Sequence, residues 1–275
     1  MKIGVDLGGT NIRVGLIDNG SIVEQKIALL KDKDKLPNTL AQIAELIAPY
    51  AKNNVTGIGI GVPSVVDVEE GIVFNATNIP SWEKVELRSI LQERFELPVF
   101  VNNDVNCFVL GEHQFGVARY YHSVVGLAMG TGLGAGIIIN NALYNGHNCG
   151  AGEIGLLPYL DKNYEAYCSN AFFESFYHTT ALDAFSAASK GNADAIQSWA
   201  AYGIHLGNAI KAAILVFDPE AIILGGSIIK AYNFFVTSMN KSMLDFPFPH
   251  SIQRLNVIAS QNENITLLGA AALIK

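Results

Sequence analysis

The chain has 275 residues, of which 50% are hydrophobic and only 16% are charged. This composition excludes a disordered or fibrous protein, because the apolar side chains are numerous enough to offset the entropy lost on ordering. The formal net charge is −7, whereas a nucleic-acid groove needs a basic face for the phosphates. We therefore expect one large or two ordinary domains and no nucleic-acid partner.

The sequence carries no sign of export. Its first residues, MKIGVDLGGT, lack the basic and apolar regions of a signal peptide. No run reaches the ~18 uncharged apolar residues that a membrane span needs. The three cysteines Cys107, Cys149 and Cys168 are too few and too scattered for a disulfide framework. These patterns predict a cytoplasmic, reduced protein without a membrane partner.

In chain order, the first half reads as alternating strands and helices. We predict strands over 3–5 and 12–17 around a glycine turn at 6–10, a helix over 36–52, a strand over 57–62, a helix over 81–97, a strand over 98–101 and a short helix ending near residue 116. The helices follow from apolar residues spaced by three and four, as at Leu40, Ile43 and Ile47.

The second half repeats the opening hairpin. A shift of 122 positions sets Gly4 on Gly126 and Gly8 on Gly130 without a gap. It predicts a strand over 123–128, a glycine turn over 129–136 and a strand over 137–140, followed by helices over 170–188 and 192–217, a strand over 221–224, a helix after Ser227 and a last helix over 265–274. We expect an α/β protein with duplicated topology, its lobes being 1–116 with a closing helix at about 261–275, and 117–260.

The first glycine turn joins two strands, so it is neither a P-loop, whose Gly-Lys-Ser/Thr ending is absent, nor a dinucleotide fingerprint, which must open a helix. A tight glycine hairpin exposes backbone N–H groups suited to phosphate oxygens, and Asp6 could hold a hydrated Mg²⁺ beside the first one. The alternatives are a hairpin with a turn-stabilising aspartate and, for the second turn, close packing alone. A pair of such hairpins that binds one polyphosphate is a more specific signal than either hairpin alone.

Asp104 follows a predicted buried strand and precedes a helix. It could be an ordinary N-cap, a role that aspartate fills well. It could also be a general base at the rim where α/β folds bind ligands, kept ionised by the helix N-terminus. Local sequence alone favours the cap.

The motifs DLGGTN, GVPS, NIPSW, VNNDVNCFVLGE, GTGLGAGI, GAGEIG and DPEAIILGGS occur in this order along nearly the whole chain. In this it resembles the ROK family of sugar kinases and repressors. The resemblance implies a two-lobed, actin-like (ribonuclease H-like) ATPase fold with a central cleft. It also implies phosphorylation of a hexose by ATP and Mg²⁺, and a possible homodimer.

The resemblance assigns roles to particular residues. Asp104 would be the general base, and the sugar would be bound by Asn78, Asn103, Asp104, Glu153 and Glu165. The nucleotide phosphates would lie against Asp6, Gly8, Gly9, Thr10 and Asn11 in the first hairpin and Gly130, Thr131 and Gly132 in the second. Gly225 and Gly226 would contact the adenosine, and Trp82 would shape the sugar pocket unless it is a core residue.

The departures from the family are also specific. Leu156 stands where most members have a zinc-binding histidine, and only LPYLDKNY replaces the usual cysteine cluster. We therefore expect no zinc, because such a site needs about four N/S ligands, and we expect His147 and Cys168 to be packing or surface residues. Asn11 and Ser64 replace a frequent lysine and a usual glycine.

The resemblance thus implies a glucokinase-like enzyme that phosphorylates a hexose, with glucose at its 6-hydroxyl the leading acceptor. Two alternatives stay open. One is a sugar-sensing ROK protein without turnover, although strand one begins too early for the DNA-binding segment of the repressors. The other is a kinase that takes polyphosphate as its donor.

Overall fold

The computed structural model describes residues 1–52 and 54–275. They form two compact units: unit 1 is Met1–Tyr120, Ala142–Ala151 and Asn262–Lys275, and unit 2 is Tyr121–Asn141 and Gly152–Gln261. The segment Ala142–Ala151 groups with unit 1, whereas the expected lobe boundaries put it in the second lobe. Side-chain hydrogen bonds explain the difference, because Asn145 Oδ1 accepts from Asn102 Nδ2 at 3.1 Å and from Asn106 Nδ2 at 3.3 Å.

In chain order, the strands are β1 (Lys2–Leu7), β2 (Asn11–Asp18), β3 (Ser21–Leu29), β4 (Ile58–Val62), β5 (Val65–Asp67), β6 (Ile72–Phe74), β7 (Lys84–Val85), β8 (Val99–Asn103), β9 (Val124–Met129), β10 (Leu133–Ile139), β11 (Ala142–Leu143), β12 (Pro158–Tyr159), β13 (Lys162–Asn163), β14 (Ala221–Gly225) and β15 (Asn256–Ala259). The α-helices are α1 (Leu36–Ile47), α2 (Leu87–Phe95), α3 (Asp104–Phe115), α4 (Tyr164–Cys168), α5 (Asn170–Tyr177), α6 (Ala181–Ser189), α7 (Ala193–Phe217), α8 (Tyr232–Met243), α9 (Pro249–Arg254) and α10 (Ile265–Ala272). Short 3₁₀ helices cover Ile154–Leu156 and Ser227–Ala231.

Unit 1 is built on a five-stranded sheet in the order β3-β2-β1-β4-β8. Strands β1 and β2 form an antiparallel hairpin, while β4 is parallel to both β1 and β8. Because parallel strands end at the same edge of a sheet, Asp6 near the end of β1 and Asn103 at the end of β8 share one edge. This edge carries the first hairpin turn and the start of α3.

Unit 2 contains the predicted repeat. Strands β9 and β10 lie 122 positions after β1 and β2 and pair antiparallel in the same way. Strand β14 is parallel to β9, and β15 is parallel to β14. The predicted α/β class and the duplicated hairpin are therefore confirmed.

Helix α7 forms much of the core of unit 2. Its Trp199, Tyr202 and Leu206 are buried and pack with Phe173 and Phe235. In the described ranges, one helix, α7, is long and apolar enough to cross a membrane. The core helices of globular proteins can have the same length and composition. The burial of its aromatic residues makes α7 a core helix of unit 2.

Several element boundaries differ from those predicted. The helix predicted over 170–188 is two helices, because the chain turns at His178, which has the left-handed φ of 52°. The helix predicted over 81–97 begins only at Leu87, and β10 begins at Leu133, so the second glycine turn is shorter than expected. Strand β3 was not predicted, because as an edge strand it exposes most of its residues and lacks a clear alternating pattern.

Candidate functional site

The first glycine hairpin leaves two consecutive amide groups available. Gly8 N donates to Asn11 O at 2.9 Å and closes the turn, whereas no group in the described ranges accepts from the amides of Gly9 and Thr10. Asn78 packs against the turn: a Cβ at Gly9 would lie 2.9 Å from Asn78 Cβ. Glycine is therefore required at this position, and the predicted sugar ligand Asn78 lies beside the predicted phosphate turn.

The second hairpin is built in the same way within unit 2. Gly130 N donates to Gly132 O at 2.9 Å, and the amides of Thr131 and Gly132 find no acceptor among the described residues. Glu165 braces the turn, because its Oε2 accepts from Leu133 N at 3.0 Å. Both units thus present two adjacent N–H donors on a glycine turn, an arrangement suited to phosphate oxygens.

Asn103, rather than Asp104, caps α3. Its Oδ1 accepts from Val105 N at 2.8 Å and from Asn106 N at 3.2 Å, and its Nδ2 donates to Ser64 O at 3.1 Å. The interpretation of Asp104 as an ordinary N-cap is therefore wrong. Asp104 is the first residue of the helix and is half-buried, while both ends of the Asn103 amide hold this corner together.

Asp104 and Asp6 both lie close to Cys107. Burial raises the pKa of the Cys107 thiol well above its usual value, and the negative charges of Asp104 and Asp6 raise it further. Gly61 lets α3 pack this close to β4, because a Cβ there would lie 3.3 Å from Asp104 Cα. Unit 1 therefore places two carboxylates at the carboxyl edge of its sheet.

Asp6 is the predicted magnesium contact. Burial raises the pKa of its carboxyl group, and the positive charge of Arg13 opposes this shift. In the described ranges, no group of three or more His, Cys, Asp or Glu residues could hold a metal ion by itself. Mg²⁺ bound mostly by phosphate and water oxygens needs only one or two protein carboxylates. The single Asp6 carboxylate beside the amides of the first turn fits that requirement.

In unit 2, the charge of Glu165 affects the pKa of Glu153. Loss of solvation raises the pKa of Glu153, and the negative charge of Glu165 raises it further. Glu153 directly precedes the 3₁₀ helix Ile154–Leu156, in which Leu156 is 60% exposed. Both predicted sugar-binding carboxylates thus belong to one region, which also carries the exposed Leu156.

Aromatic residues pack together around the β12–β13 hairpin. Tyr159 stacks on Tyr164 with ring centroids 4.4 Å apart, and its hydroxyl group lies 3.1 Å from His205 Nδ1. Tyr167 OH donates to Asp161. These contacts tie the short β12–β13 hairpin to α4 and α7. Cys168 is fully buried in the core of unit 2, as a packing residue.

A cavity of about 330 Å³ opens beside the second hairpin in unit 2. Its wall combines polar and apolar groups: Gly130, Thr131, Asn170, Ser227 and Lys230 on the one hand, and Ala181, Leu182, Phe185, Trp199, Ile228 and Ala231 on the other. Most of these residues were not predicted as site residues from the sequence. They come from α5, α6, α7 and the 3₁₀ helix after β14 and share no local motif.

Gly226 and Trp82 have structural explanations. Gly226 has a φ of 85°, and a Cβ there would lie 2.2 Å from Met129 O, so its backbone packs on β9 and only glycine fits. Trp82 is 1% exposed and donates from Nε1 to Thr39 Oγ1 at 2.7 Å. Trp82 is therefore a core residue of unit 1 and does not line a sugar pocket.

Lys33 was not predicted. Its Nζ donates to Gly9 O at the tip of the first hairpin. The run KDKDK at residues 31–35 gives no sign in the sequence of which lysine turns inward.

Comparison with known proteins gives consistent results. The ROK family profile matches residues 2–275. A glucokinase from Thermotoga maritima is 31% identical, covering 99% of this chain and 96% of that protein. A xylose repressor from Caldicellulosiruptor bescii is 40% identical over 161 residues, 56% of this chain and 40% of the repressor.

The fold agrees as well. The crystal structure of a ROK family glucokinase from Streptomyces griseus in complex with glucose and AMPPNP has a TM-score of 0.84 and 26% identity, covering 99% of this chain and 98% of that one. The predicted two-domain, actin-like ATPase fold is thus confirmed. With a family match along its length and a glucokinase relative of equal extent, the chain belongs to the ROK family.

Proposed function

We propose that this chain transfers the γ-phosphoryl group of ATP to a hexose, with the 6-hydroxyl group of glucose as the leading acceptor. The sugar-kinase class follows from family membership and from full-length similarity to glucokinases. The observation that carries the proposal is the pair of matched hairpins, each with two adjacent amide donors. A phosphoryl-transfer enzyme acts mainly by positioning and by electrostatic stabilisation, and backbone donors of this kind supply both.

The glycine turns would bind the phosphates of the donor. The amides of Gly9 and Thr10 in unit 1 and of Thr131 and Gly132 in unit 2 would donate to its phosphate oxygens. Asp6 would hold Mg²⁺ through water, and the ion when bound would spread the charge on the transferred group. The unit 2 cavity would take the nucleoside, since its apolar wall suits a base and its polar residues suit a ribose.

The acceptor would be activated by Asp104. As the first residue of α3, Asp104 benefits from the positive end of the helix dipole, which favours its ionised form. Its carboxylate would accept the proton of the attacking hydroxyl group as the oxygen bonds to phosphorus. Asn78, Glu153 and Glu165 would bind other hydroxyl groups, and Asn103 would act by fixing the corner that bears the base.

The unit 2 cavity also bears on the choice of donor. Inorganic polyphosphate has no base, so it would make no use of the apolar wall of this cavity. This favours ATP over polyphosphate. A sugar sensor without turnover would need neither the nucleoside cavity nor the base Asp104.

The test is a coupled ADP-release assay over a panel of hexoses and N-acetylated hexoses, with wild-type protein and Asp104→Asn. We expect release that depends on a hexose. The variant should lose about 10²–10⁴-fold in kcat and keep its affinity for the sugar, measured by calorimetry. Near-wild-type turnover in Asp104→Asn would refute the base assignment. ADP release without sugar would indicate an ATPase, and no release with any hexose would favour the sensor. Replacing ATP by polyphosphate decides the donor.

A further inference from the structure

The loop between β3 and α1 is tied to the tip of the first hairpin. Leu30 N donates to Thr10 O at 2.8 Å, and Ser81 N donates to Lys33 O at 3.1 Å. Lys33 is half-buried, and its Nζ donates to Gly9 O. These two backbone hydrogen bonds fix the part of the loop from which the Lys33 side chain reaches Gly9.

In this position the Lys33 ammonium group has N–H donors left for a ligand. A lysine ammonium has three N–H donors, and the Gly9 carbonyl group accepts one of them. The adjacent amides of Gly9 and Thr10 have no acceptor among the described residues. A positive charge beside two N–H donors is the chemistry that binds phosphate oxygens.

The hairpin has no cation of its own at this place. Residues 6–11 contain no lysine or arginine. Arg13, the next cation along the chain, donates from its guanidinium group to Glu263 O at 2.8 Å.

We propose that Lys33 binds the terminal phosphates of the donor and so supplies, from a neighbouring loop, the cation that the first hairpin lacks. The inference rests on the proposed function in that the donor phosphates bind at this turn. Lys33 is then a phosphate-binding residue for a triphosphate, with its ammonium group donating to the γ- or β-phosphate oxygens.

Calorimetry with AMPPNP and Mg²⁺ tests this directly, and AMP serves as the ligand without terminal phosphates. The variants are Lys33→Met, which keeps the length of the side chain and removes the charge, and Lys33→Arg, which keeps the charge. Lys31→Met is the matched control, since Lys31 is an exposed lysine of the same run. We expect Lys33→Met to weaken AMPPNP binding about tenfold to a hundredfold, as for a charged hydrogen bond. AMP binding should stay within about twofold, and Lys33→Arg should retain much of the affinity.

The outcomes are distinct. AMPPNP affinity in Lys33→Met equal to that in Lys31→Met would overturn the inference. Equal losses for AMPPNP and AMP would show that Lys33 only braces the loop, which also overturns it. If the wild-type protein binds AMPPNP but phosphorylates no hexose, the proposed function fails. The ratio of the AMPPNP affinities of Lys33→Met and Lys31→Met would still test the role of Lys33. A wild-type protein that binds no triphosphate would overturn both.

Discussion

Replacing Gly132 by alanine should disturb the second hairpin through Glu165. A Cβ at this position would lie 2.4 Å from Glu165 Oε2, too close for any real contact. The same oxygen accepts from Leu133 N at 3.0 Å. The carboxylate must therefore move, and the hydrogen bond that closes the turn onto α4 is lost.

The magnitude follows from that bond. A hydrogen bond to a charged group contributes about 1.5–3 kcal/mol, so we expect unfolding of unit 2 to become easier by this amount. At roughly 2–4 °C for each kcal/mol, Tm should fall by about 3–12 °C. Gly130→Ala is the matched control on the same turn, because the nearest atom to its Cβ would be Ser227 Oγ at 3.4 Å, an ordinary contact.

Scanning calorimetry on Gly132→Ala, Glu165→Ala and the double variant isolates the cause. Once Glu165 is truncated, the alanine at position 132 has nothing to collide with, so the double variant should unfold within about 1 °C of Glu165→Ala, as expected for coupled neighbours. Additive losses in Tm, or equal losses for Gly132→Ala and Gly130→Ala, would refute the reasoning.

Three further predictions concern charge and burial. Because desolvation and Glu165 raise the pKa of Glu153, sugar affinity should fall as the pH drops through a value above the usual 4.5 for a glutamate; Glu165→Gln should move this limb to lower pH, and a flat titration of affinity would count against Glu153 as a ligand. Burial raises the pKa of Asp6 in the folded protein, so folding binds a proton between the unfolded and folded pKa values and stability falls as the pH rises through that window. Asp6→Asn should therefore raise Tm at neutral pH while lowering Mg²⁺-dependent turnover, and an unchanged or lower Tm would contradict this. Trp82→Phe loses its hydrogen bond to Thr39 and should destabilise unit 1 by about 1–2 kcal/mol, measured by denaturant titration. The KM for sugar should not change. A raised KM with unchanged stability would show instead that Trp82 lines the sugar pocket.

The sequence by itself determined the α/β class and the duplicated hairpin. Strand–turn–strand patterns with glycines at matched positions reflect short-range steric rules, and these act in the same way wherever the segment lies in the fold. The position of β9 and β10, 122 residues after β1 and β2, was therefore predictable from the residues alone. Edge strand β3 could not be predicted in the same way, because exposure to water removes the alternating pattern on which a strand prediction depends.

Tertiary structure decided which side chain performs which task. Asn103 and Asp104 are both good capping residues, and the choice of Asn103 follows from its φ of −63° and ψ of 145° at the end of β8 and from its bond to the distant Ser64 O. Lys33 reaches Gly9 only because the loop after β3 is anchored at Thr10 and Ser81. Contacts between residues far apart in the chain come from packing, and local patterns carry no information about them.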